Sequence, residues 1–129
     1  MLHELRIHAK DRRWRVREGV AMTIQRFGDK EMGKLLQEME KWSHGDLLER
    51  RAAIAGICEP RLLSNAEDNL KVLEILDEIT EGIVHEDQRK TDEFLALKKA
   101  LGYCWSVAVA SAPGAGKKAM EKWILYDDQ

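Results

Sequence analysis

At 129 residues and 14.8 kDa, with 44% apolar and 34% charged residues, the chain holds enough material for one domain with a core of its own, without disulfide or metal support. A formal charge of −2 gives no bulk argument for nucleic acid or a membrane surface as partner. The longest apolar stretch, YCWSVAVASA from Tyr103, is about half of the roughly 20 residues that cross a bilayer, so no membrane segment is expected.

Taken in chain order, the apolar periodicity predicts helices over 1–9, 14–27, 30–42, 47–58, 66–83, 91–111 and 116–125, and no strand. Start signals stand at Asp29, at Ser43, at Ser64 with Glu67 as a capping box, and at Thr91 ahead of Asp92 and Glu93. The two prolines, Pro60 and Pro113, fall where helical patterns stop. In 14–27 the 3.6 period gathers Val16, Val20, Ile24 and Phe27 on a core face, with Gly19 and Thr23 beside them where a neighbouring helix can come close. Cys58 and Cys104 lie inside apolar helical patterns with no secretory leader ahead of them, so two buried reduced thiols and a cytoplasmic setting are expected.

The sequence also repeats itself. A shift of 81 residues lays GKLLQEMEKW from Gly33 on GAGKKAMEKW from Gly114, and lays Asp11, Arg17 and Val20 on Asp92, Lys98 and Leu101. A shift of 34 lays Trp14, Arg17, Val20 and Ala21 on Leu48, Arg51, Ile54 and Ala55. Steps of 34 and 47 residues bracket the roughly 40–47 of a helix-pair repeat. Trp42 and Trp123 close equivalent first helices, and their recurrence favours large apolar plugs at a repeated joint over platforms for bases or peptide side chains. An acid in each turn and a cation early in the next helix (Asp11 with Arg17, Asp46 with Arg51, Asp92 with Lys98) predict an ion-pair ladder rather than a row of phosphate contacts.

DRRWRVREGVAMTIQRFGD, residues 11–29, resembles the turn and second helix of a HEAT repeat: an aspartate in the turn, a Val-Arg pair opening the helix, small and apolar residues, then Gly-Asp. The second unit keeps ERRAAIAGI from Glu49 but has Arg50 where the first has Val16, and the third ends in an alanine-rich stretch instead of Gly-Asp. The resemblance implies an all-α, right-handed α-α superhelix of antiparallel helix pairs, one domain over 1–129 with about three repeats and incomplete terminal units. Such ends imply either a piece of a longer array or self-association through its open ends.

In a HEAT array the second helices line the concave surface. The exposed positions in register are Arg15, Glu18, Met22 and Gln25, then Glu49, Ala52, Gly56 and Glu59, then Ala96, Lys99, Tyr103 and Ser106. The expected binding face is a shallow groove floored by Ala52 and Gly56, flanked by Met22 and Tyr103, with Arg15, Glu18, Gln25 and Lys99 around it. Mixed charge and an adaptable methionine suit a peptide or protein partner better than a phosphate backbone.

Chemistry is not expected. His3, His8, His44 and His85 lack metal-ligand spacing and no Cys-x-x-Cys occurs, so neither metal nor cofactor is predicted. PGAGKK from Pro113 fails the phosphate-loop pattern at Ser111 and Lys118. Glu74, Asp77, Glu78 and Glu81 read as a solvated stripe on one helix. The runner-up reading is nucleic-acid binding related to the HEAT-like alkylpurine DNA glycosylases, drawing on Trp14, Trp105 and the N-terminal arginines. That family's carboxylate and tryptophan pairing at helical spacing is missing here.

Overall fold

The computed structural model describes residues 2–87 and 89–127, with side chains for all of these but 3 and 124–127. Six α-helices follow in order: α1 (Leu2–His8), α2 (Trp14–Trp42), α3 (Leu47–Ile57), α4 (Ala66–Val84), α5 (Asp92–Ser111) and α6 (Pro113–Asp127), with a 3-10 turn at Pro60–Leu62. No strand occurs among the described residues, so the chain is all-α.

Local chemistry sets the helix starts. Thr91 caps α5 as predicted, its hydroxyl accepting the Phe94 N–H. Elsewhere the caps differ from expectation. Ser43 ends α2, its hydroxyl donating to the Glu40 carbonyl at 2.5 Å, and Asp46 opens α3 through a reciprocal capping box with Glu49. Asn65, not Ser64, opens α4 by accepting from the Glu67 and Asp68 N–H groups.

The predicted helices 14–27 and 30–42 are the two helical stretches of α2, which meet at a kink a few residues later than expected. Glu31 alone leaves helical geometry, at φ −143° and ψ 65°. Asp29 does not cap a new helix, because its carboxylate is taken by Arg61 in a two-pronged pair at 2.9 and 3.2 Å. That pair draws Asp29 below its ordinary pKa through the Arg61 hydrogen bond. The kink divides α2 into two halves with different neighbours.

The first half of α2, α3 and α5 lie side by side. Gln25 reaches the Ala55 carbonyl, and Cys104 on α5 donates its S–H to the Ile54 carbonyl at 3.4 Å. The second half of α2, α4 and α6 form another succession. Ser43 and His44 meet Glu78 of α4, while Asp77 of α4 accepts from Trp123 and Lys122 of α6. Trp105 of α5 donates to Thr80 of α4 and so stitches the two successions together.

Between them runs one continuous core: Val20 and Ile24 of α2, Ile54 and Ile57 of α3, Val72, Leu76 and Ile79 of α4, and Leu97, Leu101 and Cys104 of α5. Each of the large aliphatic side chains contributes about 1.5–3 kcal/mol by leaving water. Val20, Ile54 and Leu101, equivalent by the sequence repeat, are all buried. Val16 and Phe27 are only half-buried at its edge. Trp42 is fully buried, its indole N–H donating to Glu38 at 3.3 Å, whereas Trp123 is half-buried and donates to Asp77 at 2.8 Å. The repeated tryptophans thus share a carboxylate partner but differ in depth.

The expected ion-pair ladder does not form. Asp11 pairs with Arg13, while Arg17 spends one guanidinium nitrogen on the Asp11 and Arg12 carbonyls at 2.8 and 3.0 Å. Asp46 is occupied as a cap, and Arg51 approaches Glu18 instead, at 3.7 Å. Asp92 and Lys98 make no pair among the described residues. Turn carboxylates bond the nearest N–H or guanidinium, which lies within the same turn.

Arg6 of α1 forms an ion pair with Glu49 and so ties α1 to the capping box of α3. Burial pushes the Glu49 carboxyl up, but the Asp46 N–H and the Arg6 guanidinium outweigh it and hold the carboxyl below its ordinary pKa. Its stabilising contribution is therefore present above the ordinary carboxylate range and lost as pH falls through the lowered value.

Close helix contact occurs at Gly56 and Gly116, not at Gly19, which is exposed. A Cβ on Gly56 would stand 2.7 Å from the Ile24 Cβ, so α3 can approach α2 only because that side chain is absent. Gly116 likewise lets α6 approach the α5 backbone, 2.8 Å from the Val109 Cα to an added Cβ. The glycine-rich PGAGKK is therefore the first turn of α6 and a helix crossing. Gly56→Ala is expected to lower unfolding free energy by about 1–3 kcal/mol through overpacking. Gly102→Ala, in an exposed interior turn of α5 where an added Cβ meets nothing, should raise it by about 0.5–1 kcal/mol. Urea denaturation of both variants checks the pair, and equal effects would contradict this packing.

Candidate binding groove

The expected concave row is shifted in the structure. Ala52 and Gly56 are buried against α2 and floor nothing; Glu49 is buried as well. The reason is position in the array. Arg15, Glu18 and Met22 remain exposed on α2, but the residues 34 places later lie on a helix flanked on both sides, and the small Ala52 and Gly56 are where α2 packs. Gln25 is half-buried, its amide spent on the Ala55 carbonyl at 3.4 Å. Of the remaining predicted residues, Lys99 and Tyr103 do share one depression.

That depression is a groove of about 400 Å³ between α3 and α5, which Arg17 of α2 also lines. It is lined by Arg51 and Ala55 of α3 and by Lys99, Ala100 and Tyr103 of α5. Tyr103 is 64% exposed, as large an apolar surface as the described residues offer beside a cavity. A second cavity of about 470 Å³ continues past Arg17 toward Lys10 and Arg12, with Asp92 and Glu93 on its far side. The groove proper is lined by three cations, of which Arg51 lies 3.7 Å from Glu18.

Arg17 is the residue that holds this surface. Its Nη1 binds two carbonyls, its Nε is buried with no partner among the described residues, and no described carboxylate pairs with it. A guanidinium fixed in place and neutralised only by backbone dipoles is preorganised for an incoming anion. Lys99 is exposed and has no carboxylate partner among the described residues. Sequence reading missed Arg17, Arg51 and Ala55 as groove residues, although the 34-residue shift had already matched Arg17 with Arg51 and Ala21 with Ala55. A glycine in a helix interior was the available signal that Gly56 faces a neighbour.

The other aromatic and nucleophilic candidates are taken up by the fold. Trp105 is buried, while Trp14 is 61% exposed with Arg15 stacked 5.6 Å from its ring centre. Cys58 and Cys104 are buried free thiols, and burial pushes the Cys58 thiol well up, so neither is a ready nucleophile. An aromatic cavity of about 300 Å³ among α4, α5 and α6 is lined by Phe94, Trp105 and Trp123, with Arg89 stacked on Phe94 at 5.2 Å.

The acidic stripe of α4 is not simply solvated. Asp77 serves Trp123 and Lys122, and Glu78 faces Glu40 of α2 and His44 in the turn after it. Burial pushes the Glu78 carboxyl up, and the Glu40 carboxylate opposite it pushes the same way. His3 has its side chain outside the described residues. No helix among the described residues is long and apolar enough to cross a membrane.

Comparison with protein-family models, with curated proteins and with solved structures returned no match for this chain.

The Arg13 hydrogen bonds lower the Asp11 carboxyl from 3.8 to about 2. A lowered folded pKa means that this pair favours the folded state above the ordinary carboxylate range and ceases to do so as pH falls toward about 2. A carboxyl-carbon NMR titration should find the Asp11 midpoint well below those of unpaired aspartates, and Arg13→Ala should return it toward 3.8. An unchanged midpoint in the variant would contradict the pairing.

Proposed function

We propose that the chain is a non-enzymatic HEAT-like interaction module, a right-handed superhelix of helix pairs whose α3–α5 groove receives an extended or helical peptide from a protein partner. Two features support the superhelical reading. Helices alternate between two successions in chain order, and equivalent core positions of successive units are buried together. The binding reading is carried by a single observation: Tyr103 stands exposed beside the small Ala55 and Ala100 and among three cations, two of which, Arg17 and Lys99, have no acid partner among the described residues.

That lining selects the occupant. An apolar side chain of the peptide rests on Ala55 and Ala100 against Tyr103, and acidic side chains meet Arg17, Arg51 and Lys99. The groove is short for a nucleic-acid backbone, which needs a longer run of aligned cations; Lys10 and Arg12 would extend it, but Asp92 and Glu93 interrupt that extension.

Selection from a displayed random peptide library should enrich sequences that combine acidic residues with one aromatic or aliphatic anchor. Tyr103→Ala and Arg51→Ala should each weaken the selected peptide by about tenfold or more. Binding of duplex DNA with a steep loss of affinity as salt rises, in place of peptide, would overturn this reading in favour of nucleic acid. Enrichment that survives both substitutions would place the peptide elsewhere.

A further inference from the structure

Away from the groove, at the junction of α2 with α4, three side chains with metal-binding atoms converge. Glu40 and His44 sit four residues apart at the C-terminal end of α2, and Glu78 reaches them from the middle of α4. Their ligand atoms all lie within 4.8 Å of one another. We propose that Glu40, His44 and Glu78 bind a divalent transition-metal ion of the zinc type, which clamps the end of α2 to α4.

The first argument is geometric. His44 Nε2 stands 3.5 Å from Glu40 Oε1 and 3.6 Å from Glu78 Oε2, too far for good hydrogen bonds. Two atoms that each lie 2.0–2.1 Å from a tetrahedral ion are about 3.3–3.4 Å apart, so the two His44–carboxylate spacings already approach that value, and rotamer adjustment of the carboxylates within the 4.8 Å cluster brings all three onto a metal.

The second argument is electrostatic. Several acids elsewhere find guanidinium or ammonium partners: Asp29 with Arg61, Glu49 with Arg6, Glu86 with Arg50, Asp77 with Lys122. Among the described residues Glu40 and Glu78 have no Lys or Arg partner; they face each other and His44, and Glu78 also accepts a long hydrogen bond from the Ser43 hydroxyl at 3.5 Å. They do so beside the last turn of α2, where the helix dipole itself is negative and favours a cation.

The donor set selects the ion. Magnesium and calcium prefer all-oxygen surroundings, whereas one imidazole with two carboxylates suits zinc and its neighbours, with a fourth position left to solvent. His44 is 65% exposed, so an ion can reach the site from water. The sequence conceals this trio because Glu78 lies 34 residues beyond His44, and only the packing of α4 on α2 brings it near.

Calorimetric titration of the whole chain with Zn²⁺ at neutral pH tests the site. Saturable one-to-one binding is expected, with a rise in thermal midpoint. Co²⁺ should give the visible absorption of a low-coordinate complex. His44→Ala and Glu78→Gln, both changes at exposed side chains, should each weaken Zn²⁺ by at least about tenfold and remove the thermal shift, while their circular dichroism without metal stays that of the parent. His85→Ala should bind as the parent does. Absence of saturation at millimolar Zn²⁺, or affinity that is unchanged in His44→Ala, would overturn the proposal.

Discussion

The structure depends on the burial of α3 between α2 and α5. Eleven residues are too few to form a stable helix in isolation, so Leu47–Ile57 persists only because neighbours cover it. Gly56 admits Ile24 of α2 from one side, and Ile54 presents its side chain to the core and its carbonyl to Cys104 of α5 on the other. The capping box of Asp46 and Glu49 fixes where the helix begins, and Arg6 anchors that box to α1.

The groove follows from this packing. Once Ala52 and Gly56 face α2, the 3.6-residue period turns Arg51 and Ala55 toward the gap beside α5. The same rotation brings Arg51 into line with Arg17, its equivalent in the preceding repeat. Two cations in succession are thus a product of the repeat, and Lys99 and Tyr103 of α5 complete the opposite side. On the other succession of helices, the kink at Glu31 directs the second half of α2 onto α4, which sets Glu40 and His44 opposite Glu78. Groove and acidic junction therefore occupy separate surfaces, though both depend on how the two halves of α2 are held.

Much of the architecture was legible in the sequence, because it rests on local patterns. The all-α class, the helix spans of α3, α4 and α5, the Thr91 cap and the buried thiols follow from periodicity, capping chemistry and the lack of strand signals. What could not be read depended on distant partners. Asp29 looks like a helix start until Arg61, 32 residues away, takes its carboxylate. Ala52, Ala53, Ala55 and Gly56 give α3 little contrast between its faces, so the side turned toward α2 could not be distinguished from the side turned to solvent. His44 has one carboxylate, Glu40, at i,i+4 spacing but no second ligand nearby along the chain, because Glu78 belongs to another helix. Trp42 and Trp123 occupy matching sequence positions, yet one is fully enclosed and the other only half-buried at the edge of the core.

Native-state amide hydrogen exchange tests the central role of α3 most directly. If α3 is clamped as described, the amides of Ala53, Ile54 and Ile57 exchange only through global unfolding and are among the slowest in the chain, while those of α1 open earlier. Exchange of α3 ahead of α1, with α4 and α5 still protected, would show that the helix is an appendage and that the groove beside it has no fixed wall.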